Sequence, residues 1–286
     1  MKKQTKPKHL GLIVGGGELP QQVAKLARQA GMMVYPVNLS GFAKTKSELS
    51  NGPWRSIGQI GGILEDLKDA DVSQICFAGI VDRPNFSTLQ LDEIGRQEMP
   101  RISTAAQQGD DALMRAVLSV FENAGFDIIG PDEIAASLLA PAGQLGTIEP
   151  NQQQIADMNK AAQIAKAVGQ LDIGQGAIVC RGVVLAVEAQ EGTDAMLRRC
   201  ASLPKSMRGT RKEPAGVLVK TPKPGQEMRI DLPTIGVETV QRASEAGLAG
   251  IGFVTGQTFL LERKAMLAQA DRLGLFLFGL NLQEIE

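Results

Sequence analysis

Carboxylates are clustered in the second half of the chain, between a predicted strand and the start of a predicted helix. Within residues 188–194, Glu188, Glu191 and Asp194 lie close together in sequence. Carboxylate oxygens at such a point are the ligands that Mg²⁺ prefers, and they predict a metal site. The alternative is an ordinary helix start that Thr193 or Asp194 caps, with solvated glutamates, and the sequence leaves both open.

A lone acid, Asp231, lies between apolar residues in a segment, 228–232, that we predict to be extended. Lys220 lies near the end of a strand predicted over 216–221, and Lys223 follows it in a proline-rich turn. If these segments meet, Asp231 can bind a divalent cation or orient water, while lysine and metal offset negative charge on a phosphoryl group. The alternative is a helix-capping acid and two surface lysines.

Gly15, Gly16 and Gly17 form a loop between a short apolar run and a helix that Pro20 opens. Glycines let an anion approach the backbone, and a helix N-terminus favours a phosphate there. A dinucleotide fingerprint would need Gly or Ala at position 20 and an acid after the second strand, where residues 38–40 offer none. A tight turn without any ligand is the other interpretation.

Two further charged groups lie near predicted strand or helix ends. Arg83 follows the third predicted strand, at the end where open parallel sheets bind ligands, and it either contacts phosphate or pairs with Asp82. Asp110 and Asp111 open the predicted helix 109–124, and capping together with the helix dipole is enough to explain both.

Histidine and cysteine usage excludes several kinds of chemistry. The chain has one histidine, His9, which we assign to a charged leader before the first strand. Imidazole-based triads and histidine-ligated zinc are therefore not expected in the folded body. Cys76 and Cys180 lie in apolar runs and are predicted to be buried thiols in a reducing compartment.

Periodicity predicts an α/β protein with two domains. Residues 1–138 alternate strands and helices, as a Rossmann-like parallel sheet does, residues 139–150 form a linker, and residues 151–286 form a mixed α/β domain. In the second domain we predict one hairpin over 177–188 around Arg181-Gly182, another over 250–261 that turns at Gly256-Gln257, and a strand over 275–279.

The overall composition limits the kinds of partner and the cellular location that we expect. Of 286 residues, 43% are hydrophobic, and the net charge of −1 does not favour a duplex-binding protein. No apolar run reaches the roughly 18 residues of a membrane span, and the N-terminus has no signal-peptide core. We expect a soluble, cytoplasmic protein that binds no nucleic acid.

Taken in order, the motifs identify a family. They occupy residues 11–20, 77–79 with Arg83 and Pro84, 109–113, 139–143, 184–189, 191–197, 217–220, 222–226 and 231–236. This ordered series resembles the LpxI-type UDP-2,3-diacylglucosamine diphosphatases from about residue 10 to residue 279.

The resemblance implies a Mg²⁺-dependent hydrolase, with Mn²⁺ as the alternative ion, that holds its substrate in the crevice between the two domains. Water attacks the α-phosphorus of UDP-2,3-diacylglucosamine and releases UMP and 2,3-diacylglucosamine 1-phosphate, a step of lipid A synthesis. The catalytic aspartate of the family's Arg-x-Asp-Leu-Pro segment corresponds to Asp231. A lipid substrate implies the inner face of the inner membrane as a working surface, and a homodimer is left open.

The candidate residues come from the residue patterns and from the family resemblance together. Asp231 is the catalytic candidate. The substrate-binding candidates are Gly15, Gly16, Gly17, Gly79, Arg83, Asp110, Thr193, Lys220 and Lys223. The metal candidates are Asp231, Glu188, Glu191 and Asp194. The remaining alternatives are an NAD(P)-dependent oxidoreductase, because of the glycine loop, and a non-catalytic phospholipid carrier.

Overall fold

The computed structural model describes residues 8–230 and 232–281 of the chain. These residues form two compact units. The first contains the described residues up to Ser137 together with 227–230, and the second contains 138–226 and 232–281. The chain therefore leaves the second unit after Gln226 and returns to it at Leu232.

A five-stranded sheet forms the centre of the first unit, in the order β3-β2-β1-β4-β5. Its strands are β1 (His9–Val14), β2 (Met33–Leu39), β3 (Trp54–Arg55), β4 (Gln74–Ala78) and β5 (Asp127–Ile128). Every neighbouring pair is parallel, so all five strands end at the same edge, the first carboxyl edge. The predicted Rossmann-like parallel sheet is confirmed.

Helices follow the strands of the first unit, and their apolar residues pack on the sheet. They are α1 (Leu19–Gln29), α2 (Ile60–Asp69), α3 (Glu93–Ala106), α4 (Asp110–Asn123) and α5 (Pro131–Ile134). The predicted helix 109–124 is α4, which begins after Gly109 with no side-chain cap. Helix α3 is not predicted by the sequence pattern, because its interior Pro100 and its many polar residues hide the helical period.

A six-stranded mixed sheet forms the centre of the second unit, in the order β6-β13-β11-β9-β7-β8. Its strands are β6 (Gly143–Leu145), β7 (Gly176–Cys180), β8 (Val183–Val187), β9 (Val217–Lys220), β11 (Gly250–Val254) and β13 (Phe276–Leu280). The central strands β9, β11 and β13 are parallel, and β6, β7 and β8 are antiparallel to their neighbours. The predicted mixed α/β architecture is confirmed, and β6 falls within the stretch predicted as a linker.

Helices cover both faces of the second sheet. Residues of α6 (Gln152–Gln170) pack on one face with Val217 and Val219. Residues of α7 (Gly192–Ala201), α8 (Val237–Glu245) and α9 (Arg263–Leu273) pack on the other face with Leu218 and Ile251. Two short parallel strands, β10 (Thr234–Ile235) and β12 (Phe259–Leu260), form a separate pair. In the part of the chain that is described, no helix has the length and apolar content needed to cross a bilayer.

One predicted hairpin is confirmed and one is wrong. Strands β7 and β8 form an antiparallel hairpin, and Arg181 and Gly182 at its turn have φ angles of 51° and 78°. Residues 250–261 do not form a hairpin, although Gly256 does turn the chain with φ 69°. Both edges of β11 are already occupied by β9 and β13, so β12 pairs with β10 instead.

Predictions for residues 228–230 and His9 are wrong, and the prediction for Cys76 and Cys180 is confirmed. Residues 228–230 form a turn, with the Ile230 amide donating to the Glu227 carbonyl at 3.1 Å, rather than the predicted extended segment. His9 is not in a leader but begins β1, where its Nδ1 lies 3.0 Å from the Ala70 carbonyl oxygen. Cys76 and Cys180 are fully buried, as predicted.

Candidate active site

Two charged residues, Glu188 and Lys220, lie at the edge where β8, β9, β11 and β13 end, which we call the second carboxyl edge. Gly176, the first residue of β7, lies directly opposite Lys220 of β9. On its other side, the Gly176 carbonyl accepts a 2.8 Å hydrogen bond from the Glu188 amide, just beyond β8. Residues opposite each other in neighbouring strands project from the same face of a sheet, so Glu188 and Lys220 share a face with a glycine between them.

The carboxylate of Glu188 is buried and only half satisfied. Its side chain is 4% exposed, and its Oε1 accepts a 2.8 Å hydrogen bond from the Thr193 hydroxyl. Oε2 has no hydrogen-bond partner among the described residues. A Cβ atom at position 176 would lie 2.5 Å from this Oε2, so glycine at that position makes room for the carboxylate.

Lys220 is a buried cation, 6% exposed, and within residues 8–230 and 232–281 no carboxylate lies within 4.0 Å of it. Nearby buried side-chain oxygens also lack partners in this part of the structure, namely Gln175 Oε1, Thr221 Oγ1 and Thr255 Oγ1. A buried charge or polar atom without a partner costs free energy, and a bound ligand can recover it. The second carboxyl edge thus has the chemistry of a site for a polar, charged ligand.

The other candidates of the second unit are engaged in ion pairs. Glu191 accepts a 2.6 Å hydrogen bond from Arg199, which lowers the pKa of the Glu191 carboxyl. Asp194 pairs with Arg242 at 3.2 Å. The Nζ of Lys223 lies 2.7 Å from Asp172 Oδ1.

The described residues contain no group of three His, Cys, Asp or Glu side chains that is arranged to hold a metal ion. The structure joins Glu188 to Thr193 by a hydrogen bond and puts it on the same sheet face as Lys220, but it does not gather Glu188, Glu191 and Asp194 into one ligand group. Asp231 lies outside the described residues, so its predicted role is untouched by these contacts.

At the first carboxyl edge, glycines allow two loops to approach. The amides of Gly15 and Gly16 donate to the carbonyls of Ala78 and Ile80, both at 2.8 Å. Gly79 has φ 101°, and a Cβ there would lie 2.5 Å from the Gly16 carbonyl oxygen. Two of the three loop amides are therefore already used by the protein, and a phosphate at this loop would have to bind amides from Gly17 onward.

Arg83 and Asp110, both predicted to bind substrate, contact each other. Arg83 Nη1 donates to Asp110 Oδ1 at 3.1 Å, and its Nη2 donates to the Ala106 carbonyl at the end of α3. Arg83 thus pairs with Asp110 rather than with Asp82, its neighbour in the sequence. Both side chains are about 40% exposed, which leaves them open to a ligand as well as to each other.

The end of β2 carries Asn38, beside Val14 at the end of β1. Asn38 is fully buried, and its amide nitrogen donates to the carbonyls of Leu49 and Gly52. A dinucleotide-binding sheet would place an exposed acid here to hold the ribose. His9 lies at the opposite end of β1, so no imidazole reaches this edge either.

Sequence reasoning missed the polar residues that accompany Lys220. Thr221 follows it directly, and the Thr221 amide donates to the Gln175 carbonyl at 2.9 Å. The signal was present, because parallel strands that end in polar residues commonly face a ligand at their carboxyl ends. Gln175 could not be found this way, since β7 runs antiparallel and brings its first residue to that edge.

Comparisons with known proteins cover both units. Residues 9–138 match the family described as "LpxI N-terminal domain", and residues 141–278 match "LpxI C-terminal domain". A curated relative from Caulobacter vibrioides, named UDP-2,3-diacylglucosamine pyrophosphatase LpxI, is 48% identical over 275 residues, which are 96% of this chain and 98% of that protein. The family resemblance of the ordered motifs is confirmed, and the chain belongs to the LpxI family.

Proposed function

We propose that this protein hydrolyses UDP-2,3-diacylglucosamine to UMP and 2,3-diacylglucosamine 1-phosphate, as a step in lipid A synthesis. The observation that carries the proposal is the 48% identity to a UDP-2,3-diacylglucosamine pyrophosphatase over nearly the full length of both chains. A likeness that spans both units, rather than one, supports transfer of the activity. The acyl chains of such a substrate place the reaction at the inner face of the cytoplasmic membrane.

The second carboxyl edge supplies groups suited to a diphosphate. In our proposal, the Lys220 ammonium, which lacks a described counter-ion, binds a phosphoryl oxygen as a point charge. Negative charge develops on these oxygens as the diphosphate bond breaks, and a fixed cation in a buried place stabilises it more than a hydrated one would. The Thr193 hydroxyl orients the Glu188 carboxylate, which lies on the same face of the sheet.

Mg²⁺ is the proposed cofactor, with Mn²⁺ as the alternative ion, and the donor set fits it. Mg²⁺ binds through one or two carboxylates and keeps water and phosphate oxygens as its other ligands, so a cage of three carboxylates is not required. The buried, unpaired Oε2 of Glu188 is one such donor, and Asp231 is the other that we propose. When bound, the ion would offset charge on the non-bridging oxygens of the diphosphate.

Glu191 and Asp194 are weaker metal candidates than Glu188, because each is already bound to an arginine. Arg83, Asp110, Lys223 and the glycine loop remain proposed substrate contacts. Each would have to exchange or share a partner that it now has within the protein.

Isotope labelling tests the reaction most sharply. The purified protein is incubated with UDP-2,3-diacylglucosamine and Mg²⁺ in water enriched in ¹⁸O, and both products are analysed by mass spectrometry. Attack of water on the α-phosphorus puts the label in UMP and leaves the lipid phosphate unlabelled. Label in the lipid phosphate would contradict the proposed site of attack, and the absence of UMP would contradict the function.

The role of Asp231 is tested by Asp231→Ala. We expect turnover to fall at least a hundredfold while the free energy of unfolding is nearly unchanged. A variant with near-normal turnover would remove Asp231 from the mechanism. In the same assay, exhaustive chelation should abolish UMP release by the wild type and added Mg²⁺ should restore it, and full activity after chelation would exclude the metal.

A further inference from the structure

A short segment from the second half of the sequence packs with the first unit. Residues 227–230, which we call the strap, group with the first unit although their neighbours on both sides belong to the second. The residue after the strap is Asp231, the proposed catalytic acid. The contacts of the strap therefore fix the backbone that directly precedes Asp231.

The strap binds both ends of α4. The Glu227 amide donates to Asp111 Oδ1 at 2.8 Å, in the first turn of this helix. The Arg229 guanidinium donates through Nη1 to Glu122 Oε1 at 2.8 Å, in the last turn. These two acceptors are eleven residues apart, which corresponds to about 16 Å along a helix. Ile230 adds an apolar contact with the core of the first unit.

Internal hydrogen bonds make the strap stiff. Arg229 Nε and Nη2 donate to the two carboxylate oxygens of Glu227, each at 2.9 Å. The Glu227 side chain is 12% exposed, and the pKa of its carboxyl is lowered mainly by this hydrogen bonding with Arg229. A bidentate arginine–carboxylate pair has a fixed geometry, so Arg229 joins the turn and α4 into one rigid body.

We propose that Arg229 is a positioning residue, which fixes the strap on α4 and thereby sets the position of Asp231 for cleavage of the diphosphate. This inference rests on the proposed function, because it concerns the acid that acts in that reaction. On α4, Glu122 is the partner of Arg229, and Asp111 accepts the hydrogen bond of the Glu227 amide. Ion pairs that are largely exposed contribute little to stability, so the role we assign to this network is geometric.

Three variants test the proposal kinetically. Arg229→Gln removes both ion pairs of the strap, Glu122→Gln removes only its tie to the last turn of α4, and Arg101→Gln is the matched control. Arg101 is also an exposed arginine of the first unit that pairs with a glutamate, Glu98, and donates to Ser119 and Ala116 of α4. None of these partners belongs to the strap.

We expect Arg229→Gln to lower kcat about tenfold to a hundredfold with little change in KM, because a small misplacement of a reacting group costs that much. Glu122→Gln should lower kcat less, and the double variant should fall no further than Arg229→Gln alone. Arg229→Lys, which restores the charge but not the bidentate geometry, should recover part of the loss. Arg101→Gln should keep the wild-type kcat.

Hydrogen exchange gives a measurement that does not depend on activity. Amides of residues 227–230 should exchange faster in Arg229→Gln and in Asp111→Ala, while Asp111→Asn, which keeps an oxygen to accept the Glu227 amide, should stay close to wild type. Exchange in β1 and β4 should not change in any of these variants.

The outcomes separate the two claims. If the wild type releases UMP but Arg229→Gln matches Arg101→Gln in kcat, the positioning role is wrong and the function stands. If kcat falls only in proportion to a loss of folded protein, the role is structural, and the positioning role is again wrong. If the wild type releases no UMP, the proposed function fails, and unchanged exchange of 227–230 in Arg229→Gln would show that Arg229 does not hold the strap either.

Discussion

The two sheets of this protein end in different chemistry. At the first carboxyl edge, glycines 15, 16 and 79 allow the two loops to approach closely. The amides of Gly15 and Gly16 form hydrogen bonds between these loops. At the second carboxyl edge, Glu188 and Lys220 project from one face beside a glycine and both are buried; Glu188 Oε2 has no described hydrogen-bond partner, and Lys220 has no described counter-ion. The loop amides of the first edge are hydrogen-bonded within the protein, whereas polar groups of the second edge are buried without a described partner.

This difference indicates where in each unit a ligand is needed. A buried carboxylate oxygen without a hydrogen-bond partner and a buried lysine without a counter-ion, as Glu188 and Lys220 are among the described residues, cost stability, and such groups are commonly found where function requires them. The glycine loop attracts attention in the sequence, but its geometry is explained by close packing alone. We therefore expect substitutions of Glu188 and Lys220 at the second edge to change catalysis most, and substitution of the tightly packed Gly79 at the first edge to change stability most.

The largest effect should come from Glu188→Gln at the second edge. This variant keeps an acceptor for the Thr193 hydroxyl but removes the negative charge, and we expect turnover to fall about a hundredfold or more. Its free energy of unfolding should not fall, because the unpaired anionic oxygen is lost. UMP release and urea unfolding measure the two quantities. Turnover near that of the wild type would contradict a catalytic role for the second carboxyl edge.

At the first edge, Gly79→Ala should act on stability instead. A Cβ at this position meets the Gly16 carbonyl oxygen at 2.5 Å and the φ angle is 101°, so we expect a loss of about 3 kcal/mol. Gly17→Ala is the matched control, because its φ is also positive, at 81°, but its Cβ would meet nothing closer than 3.7 Å. That variant should lose only about 1 kcal/mol, measured by urea unfolding. Equal losses would show that the loops are not tightly packed.

Acid sensitivity should differ between the units by a smaller amount. The pKa of Glu227 in the first unit is lowered from 4.5 by Arg229, and that of Glu191 in the second is lowered by Arg199. A lowered folded pKa gives stability that is present above the ordinary value and is lost as the pH falls from about 4.5 through the folded pKa. Glu227 is 12% exposed and Glu191 is 31% exposed, so solvent screens the second pair more.

We therefore expect the free energy of unfolding to decline below about pH 4.5 in the wild type. Glu227→Gln should flatten this decline more than Glu191→Gln does. Urea unfolding at a series of pH values measures the slopes. A steeper decline in Glu227→Gln than in the wild type would contradict the assigned sign.

The smallest effect concerns thiol chemistry. Burial raises the pKa of all three cysteines, that of Cys200 to about 11, and each is buried. We expect no rapid alkylation of the native protein at neutral pH, and labelling of Cys76 then reports opening of the first unit while Cys180 and Cys200 report opening of the second. Rapid labelling of any of them in the folded state would contradict this burial.

Much of the fold could be predicted from the sequence, because its signals are local. Apolar runs that end in glycine identified β1 and β4, and helical spacing identified α4. The hairpin at Arg181-Gly182 was predictable because two short apolar runs flank a two-residue segment that contains glycine. The hairpin over 250–261 failed because strand partners are set by the whole sheet, and a turn at Gly256 does not decide which neighbours β11 takes.

The candidate site was predictable only in part. The sequence identified Glu188, Thr193 and Lys220 by residue type and by their position at strand or helix ends. It gave no indication that Gly176 lies between Glu188 and Lys220, because that depends on the register of three strands. Nor did it indicate that residues 227–230 pack on α4, since such a contact joins residues more than a hundred positions apart.

The most direct test of this account is Lys220→Met, with turnover and the free energy of unfolding measured on the same protein. Methionine has a similar length and no charge, so it should pack where the buried lysine now lacks a described counter-ion. We predict that UMP release falls at least a hundredfold while the free energy of unfolding rises by about 1 kcal/mol. Turnover close to that of the wild type, or a loss of stability together with a loss of activity, would contradict the claim that this edge is the working site.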